Sequence, residues 1–484
     1  MKLKDIIVNC NLLELIGDKN IDIDKVSFDS RDVAPGTLFF AVKGTQTDGH
    51  AYIENALDKG TSAIVCEKLP KTLRENVTYI KVDNSAYVLG VAAANFYGNP
   101  SRQLKLTGVT GTNGKTTIAT LLYRLFSDAG YACGLLSTIE NIVDHEVVPS
   151  THTTPDPVEL NALLRKMVDH GCEYAFMEVS SHAVDQHRVA GLHFAGGIFT
   201  NLTHDHLDYH KTMANYRNAK KKFFDDLPQD AFALTNLDDK NGAVMLQNTK
   251  ARKLSYALKH DADYKGIVLE SHFDGMLMKV NGTELHTLLV GGFNASNILA
   301  IYGAALALGF DKNELLVEIS KLHGANGRFD MVHSDSGIVG IVDYAHTPDA
   351  LENVLKTINE VRKPGQSLIT VAGCGGNRDT SKRPEMAAVA VKLSDKVILT
   401  SDNPRNEDPD EIIRQMKEGI SADETRKVLS ITDRREAIRT AVALAQKGDI
   451  ILLAGKGHED YQIIKGEKRH FDDKEELSKA LKEK

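Results

Sequence analysis

The sequence predicts an α/β protein of three domains built on mostly parallel sheets, and three observations carry that reading. Short apolar runs alternate with helical patterns from residue 104 to 235, the order of strand–helix–strand units that lay their strands parallel. A glycine-rich segment, TGTNGKTT at 110–117, lies where one such strand turns into a helix. Beyond residue 327, four further apolar strands are each followed by a polar motif: DYAHTPD, AGCGGNRD, TSDNPR and AGKGHE. At 484 residues the chain also exceeds what a single core organises.

Taken in order, residues 1–99 hold short elements, a strand at 38–42 and a helix at 53–59, separated by turns at Pro35-Gly36 and Asp48-Gly49. The segment YGNPSRQ at 97–103 has the punctuation of a linker, which places a first domain at 1–99. A second, at 100–326, opens with a strand at 104–109 and a helix at 116–129 whose apolar residues fall at 118, 121, 122 and 125. Strands at 174–179, 194–200 and 231–235 follow, and the small residues of a helix at 297–308 imply close packing. The third domain, 327–484, carries strands at 338–342, 368–371, 396–399 and 449–453. Open α/β sheets bind ligands beyond the carboxyl ends of their strands, so four polar motifs at four strand ends point to one shared site.

Composition excludes several function classes. Lys and Arg number 58 against 66 Asp and Glu, a net charge of −8 without a long basic block, which argues against nucleic acid as the main partner. Cys10, Cys66, Cys133, Cys172 and Cys374 are scattered and form no CxxC, as expected of reduced thiols and not of a disulfide frame or a zinc site. No apolar run is long enough to span a membrane, and the N-terminus lacks the apolar centre of a signal peptide, so a cytoplasmic location is expected.

The loop at 110–117 carries the first chemistry. Gly111 and Gly114 let the amides of Thr112, Asn113 and their neighbours converge on anionic oxygens at a helix N-terminus. Lys115 offers a point charge to the β- and γ-phosphates of ATP, the Thr116 hydroxyl can ligate Mg²⁺, and Thr117 completes the first helical turn. The spacing GxxxxGK[ST] is not met, because Val109 stands where its first glycine belongs, and that separates the chain from ordinary GTPases and kinases. Glu178, at the end of a strand, is placed like the acidic residue that holds Mg²⁺ beside a phosphate loop.

With that off-pattern spelling the loop resembles the Mur ligase family, which includes the folylpolyglutamate synthetases. EVSSHAVDQHR (178–188), FTNLTHDHLDYH (199–210), FNASN (293–297), GRFD (327–330), VDYAHTPDAL (342–351), DNPR (402–405) and GKGHEDYQ (455–462) resemble its UDP-N-acetylmuramoyl-tripeptide synthetase branch. The resemblance implies a three-domain Mur ligase architecture. A UDP-sugar-binding domain would occupy 1–99, a central P-loop ATP-binding ligase domain 100–326, and a Rossmann-like amino-acid-binding domain 327–484. It implies a monomeric ATP-dependent amide ligase of peptidoglycan biosynthesis. Such an enzyme adds meso-2,6-diaminopimelate to the D-glutamate γ-carboxylate of UDP-N-acetylmuramoyl-L-alanyl-D-glutamate through an acyl phosphate. A lysine-adding relative and a catalytically inert binding protein remain the alternatives.

By the same resemblance, Glu178, Thr116 and His206 bind magnesium, and Lys220 of the Tyr-x-x-Ala-Lys pattern is carbamylated by CO₂ and braces a second magnesium. Read alone, Lys220, Lys221 and Lys222 form a solvated helix face; the resemblance singles out Lys220 and leaves Lys221 and Lys222 to solvent. Asn294 and Asn297 stand where they can cap a helix, and the family places them near the adenine, with Arg328 and Asp343 reaching the phosphates and ribose from the third domain. Ser30, Thr45, Gln46, Thr47, Thr153, Thr154, Ser180, Gln186 and Arg188 would hold the UDP-sugar peptide. Arg378, Asp402, Asn403, Pro404, Arg405, Gly455 and Glu459 would hold diaminopimelate. Arg405 offers a fork suited to the carboxylate by which diaminopimelate differs from lysine, and Glu459 is available to its distal ammonium.

Overall fold

A sheet of eleven strands forms the centre of the molecule in the computed structural model, which describes residues 1–44, 47–150 and 152–484. Its middle is parallel, in the order Arg252–Ala257, Phe232–Asn236, Gly196–Phe199, Lys105–Thr110, Tyr174–Glu178, Cys133–Leu136. The strand entering the glycine-rich loop is therefore flanked on both sides, with Val109 opposite Glu178 and Thr110 opposite Phe199. That register brings the loop, Glu178 and the segment after Phe199 together at the carboxyl ends of three central strands, where an open α/β sheet places its ligands.

Both ends of this sheet turn antiparallel, which the strand–helix alternation did not foretell. At one end Tyr264–His272, Gly275–Val280 and Thr283–Thr287 form a meander. Its second turn is Asn281-Gly282, both residues at positive φ (47° and 87°), the geometry that joins tightly paired strands. That dipeptide is a sequence signal for a hairpin. Helix Gly292–Leu308 crosses beneath, and Gly303 is its contact point: a Cβ there would lie 2.5 Å from a ring carbon of Tyr264. The helix begins five residues earlier than the sequence suggested. Asn294 and Asn297 thus sit inside it and do not cap it; Gly291, at φ 95°, is the residue before its first turn.

The N-terminal unit is a five-stranded sheet in the order Leu12–Ile16, Thr78–Val82, Ala63–Cys66, Thr37–Phe40, Lys25–Ser27, parallel apart from its first strand. Its helix Ser85–Phe96 packs on helix Pro157–Asp169 of the centre, and Gly90 lets the two units close, since a Cβ there would meet the Ala190 carbonyl at 2.7 Å. The C-terminal sheet runs Asp330–His333, Val339–Asp343, Ile450–Ala454, Leu368–Ala372, Lys396–Leu399, Val428–Ser430, again parallel apart from its first strand. Central and C-terminal units meet edge to edge. Arg328 donates to Thr116 Oγ1 at 3.1 Å, Asn113 donates to Asp349 at 2.9 Å, and Lys382 pairs with Asp205.

Candidate active site

Those strand ends enclose a cleft of about 630 Å³ between the central and C-terminal units. On its central wall the phosphate loop is clamped from behind. The Thr112 amide donates to the Asn201 carbonyl at 2.9 Å, the Asn113 amide to Asn201 Oδ1 at 2.9 Å, and Thr200 Oγ1 to the Asn113 carbonyl at 2.6 Å. Gly111 has to be glycine: at φ 154° its Cβ would fall 1.8 Å from Thr200 Oγ1. Gly114, at φ 89°, precedes helix Lys115–Asp128, whose first-turn amides have no carbonyl within the helix and face the cleft. Lys115 folds back onto its own loop, donating to the carbonyls of Gly111 at 3.1 Å and Thr112 at 2.8 Å. Burial pushes its amine below the ordinary lysine range, against the pull of Glu178 and Asp205.

Beside the loop lie Glu178, Lys220 and His206. Glu178 Oε1 accepts from the Thr138 amide at 2.7 Å, whereas Oε2 is buried with no hydrogen-bond partner among the described residues. An orphaned carboxylate oxygen next to Thr116 and the phosphate loop suits a hard cation. No three His, Cys, Asp or Glu side chains converge on a metal position among the described residues. Lys220 is fully buried, donates to the Gly111 carbonyl at 2.7 Å and stands 4.7 Å from the centre of the Tyr216 ring. Burial, reinforced by the charge of Lys115, holds it well below the ordinary lysine value. Lys221 departs from expectation: it is buried and pairs with Asp225 at 2.6 Å, because its helix turns that face onto the protein, and Lys222 alone is exposed. His206, at φ 54°, has Nε2 3.4 Å from Asp205, and enclosure pushes its imidazole down to about 3, leaving it neutral.

The remaining central wall is one hydrogen-bonded cluster. Arg188 donates to the Thr154 carbonyl at 2.9 Å and to Gln186 Oε1 at 2.7 Å, and Thr154 Oγ1 donates to the Glu178 carbonyl at 2.8 Å. Thr153 accepts from Thr138 at 3.0 Å, and Ser180 caps the short helix Ser181–Asp185 through the Ala183 amide.

The facing wall comes from the C-terminal unit. Arg328 lies 4.6 Å from the centre of the Tyr344 ring, and Asp343 accepts from the Phe329 amide at 2.7 Å. Burial pushes the Asp343 carboxyl up to about 6 despite Arg328. Gly327, at φ 64°, lets the GRFD and GKGHE segments touch, since its Cβ would stand 2.1 Å from the His458 amide nitrogen. Arg405, also left-handed (φ 53°), donates to the Gly376 carbonyl at 2.8 Å and makes no ion pair among the described residues. Asn403 donates to Glu459 at 2.7 Å, and Gly455 leaves room for Asp402, whose Oδ2 would lie 2.8 Å from a Cβ.

Most of the residues that the sequence singled out line this one cleft: Thr112 to Thr117, Thr153, Thr154, Glu178, Ser180, Arg188, His206, Lys220, Asn297, Arg328, Asp343, Arg378, Asp402, Asn403, Arg405, Gly455 and Glu459. Gly111, Asn294, Gln186 and Pro404 stand behind its wall: Asn294 donates to the Val290 carbonyl, and the Pro404 carbonyl packs where a Cβ on Gly376 would sit. Ser30 is buried in the turn Ser30–Asp32 and Thr47 is exposed, both in the N-terminal unit and neither lining the cleft. Thr45 and Gln46 lie outside the described residues. Sequence reasoning missed Asn201, Tyr216, His346 and the pair Lys382–Asp205. Asn201 and Asp205 fall inside the segment 199–210 and carry no signal that separates them from their neighbours.

Comparison with known proteins agrees with this arrangement. Residues 22–97 match "Mur ligase family, catalytic domain", 109–305 "Mur ligase middle domain", and 327–457 "Mur ligase, glutamate ligase domain". A protein of Phocaeicola vulgatus named UDP-N-acetylmuramoyl-L-alanyl-D-glutamate–2,6-diaminopimelate ligase is 60% identical over 477 residues, 99% of each chain. One of the same name from Bacteroides fragilis is 58% identical over 481 residues, again 99% of each. A solved structure of a ligase so named superposes with a TM-score of 0.72 at 34% identity, covering 100% of this chain and 99% of that one.

Proposed function

The chain belongs to the Mur ligase family, and we propose that it catalyses the reaction for which its curated relatives are named. It is an ATP-dependent ligase that adds meso-2,6-diaminopimelate to the D-glutamate γ-carboxylate of UDP-N-acetylmuramoyl-L-alanyl-D-glutamate in peptidoglycan biosynthesis. One observation carries the reading: a single cleft joins a phosphate loop to an unpaired arginine, Arg405, across the boundary between two domains. The division of labour assigns 1–99 to the UDP-sugar, 100–326 to ATP and 327–484 to the amino acid.

The chemistry requires two anions, ATP and a carboxylate, to be held together while the carboxylate oxygen attacks the γ-phosphorus and ADP leaves. Lys115, freed from its loop carbonyls, and the first-turn amides of Gly114 to Thr117 would take the phosphates. Arg328 adds positive charge from the opposite wall. Asn297 stands beside Gly114, its Oδ1 2.9 Å from where a Cβ would be, and helps fix the loop end of the nucleotide site. Thr153, Thr154, Ser180 and Arg188 would hold the carboxylate-bearing peptide beside Glu178. The amine of the amino acid then attacks the acyl carbon, and phosphate leaves.

Glu178 through Oε2, Thr116, Lys220 and His206 would hold magnesium, which supplies charge neutralisation at the phosphoryl oxygens when bound. A neutral Lys220 amine is the form that adds to CO₂, forming an N–C bond and releasing one proton to give an anionic carbamate. That conversion would turn a buried amine, whose protonation burial and Lys115 oppose, into an oxygen ligand. Five free cysteines suit a reducing cytoplasm, and one chain supplies every wall of the cleft, so a monomer suffices.

Arg405 argues for diaminopimelate over lysine. Leaving a partly buried guanidinium unpaired costs about 3–5 kcal/mol, a factor of roughly 10²–10⁴ in rate. Phosphate release with ATP, Mg²⁺ and the UDP-dipeptide should therefore proceed with diaminopimelate and fall about 100-fold with lysine. Equal rates overturn the choice of amino acid and leave the ligase; no amine-dependent release with either overturns the ligase.

A further inference from the structure

Behind the diaminopimelate wall lies a lysine that does not itself line the cleft. Lys456 is fully buried, its Nζ 3.4 Å from Glu459 Oε2 and 3.9 Å from Asp402 Oδ1, and it donates to the Tyr461 carbonyl. Both carboxylates line the cleft, whereas Lys456 stands one layer back. Asp402 Oδ1 has no hydrogen-bond partner among the described residues. Glu459 is aimed by Asn403, which donates to it and accepts in turn from the Ile463 amide at 2.9 Å.

We propose that Lys456 is a positioning residue that keeps Glu459 ionised beside Asp402, available to the distal ammonium that the family resemblance already gives to this wall; the proposal rests on the ligase reading above. Burial and the neighbouring Asp402 carboxylate both favour a proton on Glu459, and without the Lys456 cation nothing of like strength opposes them. A neutral carboxyl holds an ammonium far less strongly than a carboxylate does. With Lys456 the cluster carries one net negative charge, the complement of one ammonium. Burial and Asp402 push Glu459 upward, and Lys456 and the Asn403 amide pull it back.

The other groups around the pair do not replace Lys456. Arg434 is locked to Asp473 at 2.6 Å, both fully buried. Arg405 is turned to the Gly376 carbonyl and is assigned to the substrate carboxylate. Tyr344 and Tyr461 carry hydroxyls whose ionisation burial disfavours, and the same holds for the Cys374 thiol beside Asp402. Ammonium and carboxylate at one end of the substrate are thus met by separate devices, the Lys456-braced pair and Arg405.

The test is the pH dependence of KM for diaminopimelate in wild type and Lys456→Met. Wild-type KM should be nearly flat from about pH 6.5 to about pH 8.5, while in Lys456→Met it should rise about tenfold at the acid end and recover to within about threefold at the alkaline end, where Glu459 ionises. KM for ATP should stay within about twofold throughout. An unchanged KM, or one raised equally at every pH, overturns the proposal, since a purely structural role has no reason to recover with alkali. If Lys456→Met shows no cooperative melting transition, the double variant Lys456→Met/Glu459→Gln decides. Its raised KM should be independent of pH, and a KM that still recovers with alkali overturns the assignment of Glu459. A wild type that does not turn over diaminopimelate counts against the ligase reading instead.

Discussion

The glycine-rich loop and the C-terminal wall proposed for diaminopimelate face each other across one cleft but are built in opposite ways. The loop is eight consecutive residues whose positions follow from one strand, one tight turn and one helix, with individual hydrogen bonds to residues 200, 201, 220, 328 and 349 holding it from outside. The facing wall is assembled from the ends of strands Val339–Asp343, Leu368–Ala372, Lys396–Leu399 and Ile450–Ala454, so Arg405, Asp402 and Glu459 meet only because those strands lie side by side. A contiguous site needs little beyond its local conformation. An assembled one depends on every layer behind it, which is where Lys456 and the close approaches at Gly455 and Gly376 are found.

The sharpest test of this contrast removes one charge from each side. Lys115→Ala should lower kcat by about 10³-fold or more whichever amino acid is offered, because the lost charge faces developing phosphate charge. Arg405→Ala should lower kcat/KM for diaminopimelate by about 10²-fold and leave KM for ATP within about twofold. Equal damage to ATP use by both variants, measured by steady-state kinetics, would erase the distinction between the two walls.

A smaller effect probes the boundary between them. Asp343 is buried, with its carboxyl raised to about 6. For an acid whose folded value lies above its unfolded one, the stabilising contribution is complete below the unfolded value and is lost as pH rises through the folded value. Between about pH 4 and about pH 7, wild type should therefore lose up to ~3 kcal/mol relative to Asp343→Asn, whose amide oxygen still accepts from the Phe329 amide. Denaturant melts of both proteins across that range measure it, and a constant difference contradicts the shift.

The smallest concerns adjacent lysines. Lys221→Ala removes a partly shielded ion pair with Asp225 and should cost about 0.5–1 kcal/mol of stability with turnover unchanged. Lys220→Ala should abolish most turnover at comparable stability. If Lys221→Ala were the damaging change in an activity assay, the assignment along this helix would be shifted by one residue.

These neighbours also mark how far the sequence could be read. Spacing and resemblance selected Lys220, and its burial beneath the Gly111 carbonyl gives that choice a physical basis. Nothing in three consecutive lysines announces that Lys221 turns inward to meet Asp225 four residues on, since the burial of a helix face depends on what packs against it. The antiparallel meander at 264–287 was missed although Asn281-Gly282 marks its turn, because the strand–helix alternation upstream suggested more of the same. Asn294 and Asn297 looked like caps because the small-residue helix was read from 297; Gly291 and Gly292 carry it back to its real start.

By itself the sequence determined the α/β class, the strand, glycine-rich loop and helix around 110–117, and the four polar motifs at strand ends. All of these are local: periodicity, glycine at positive φ and residue type within a few positions settle them. Only the tertiary structure decided which of those motifs share a wall, that Asp349 and Lys382 reach across to the central unit, and that Lys456 stands behind two carboxylates. The reason is that charge and burial act through space. A residue's partners and its ionisation depend on what the fold sets within a few ångströms of it, whatever their separation along the chain.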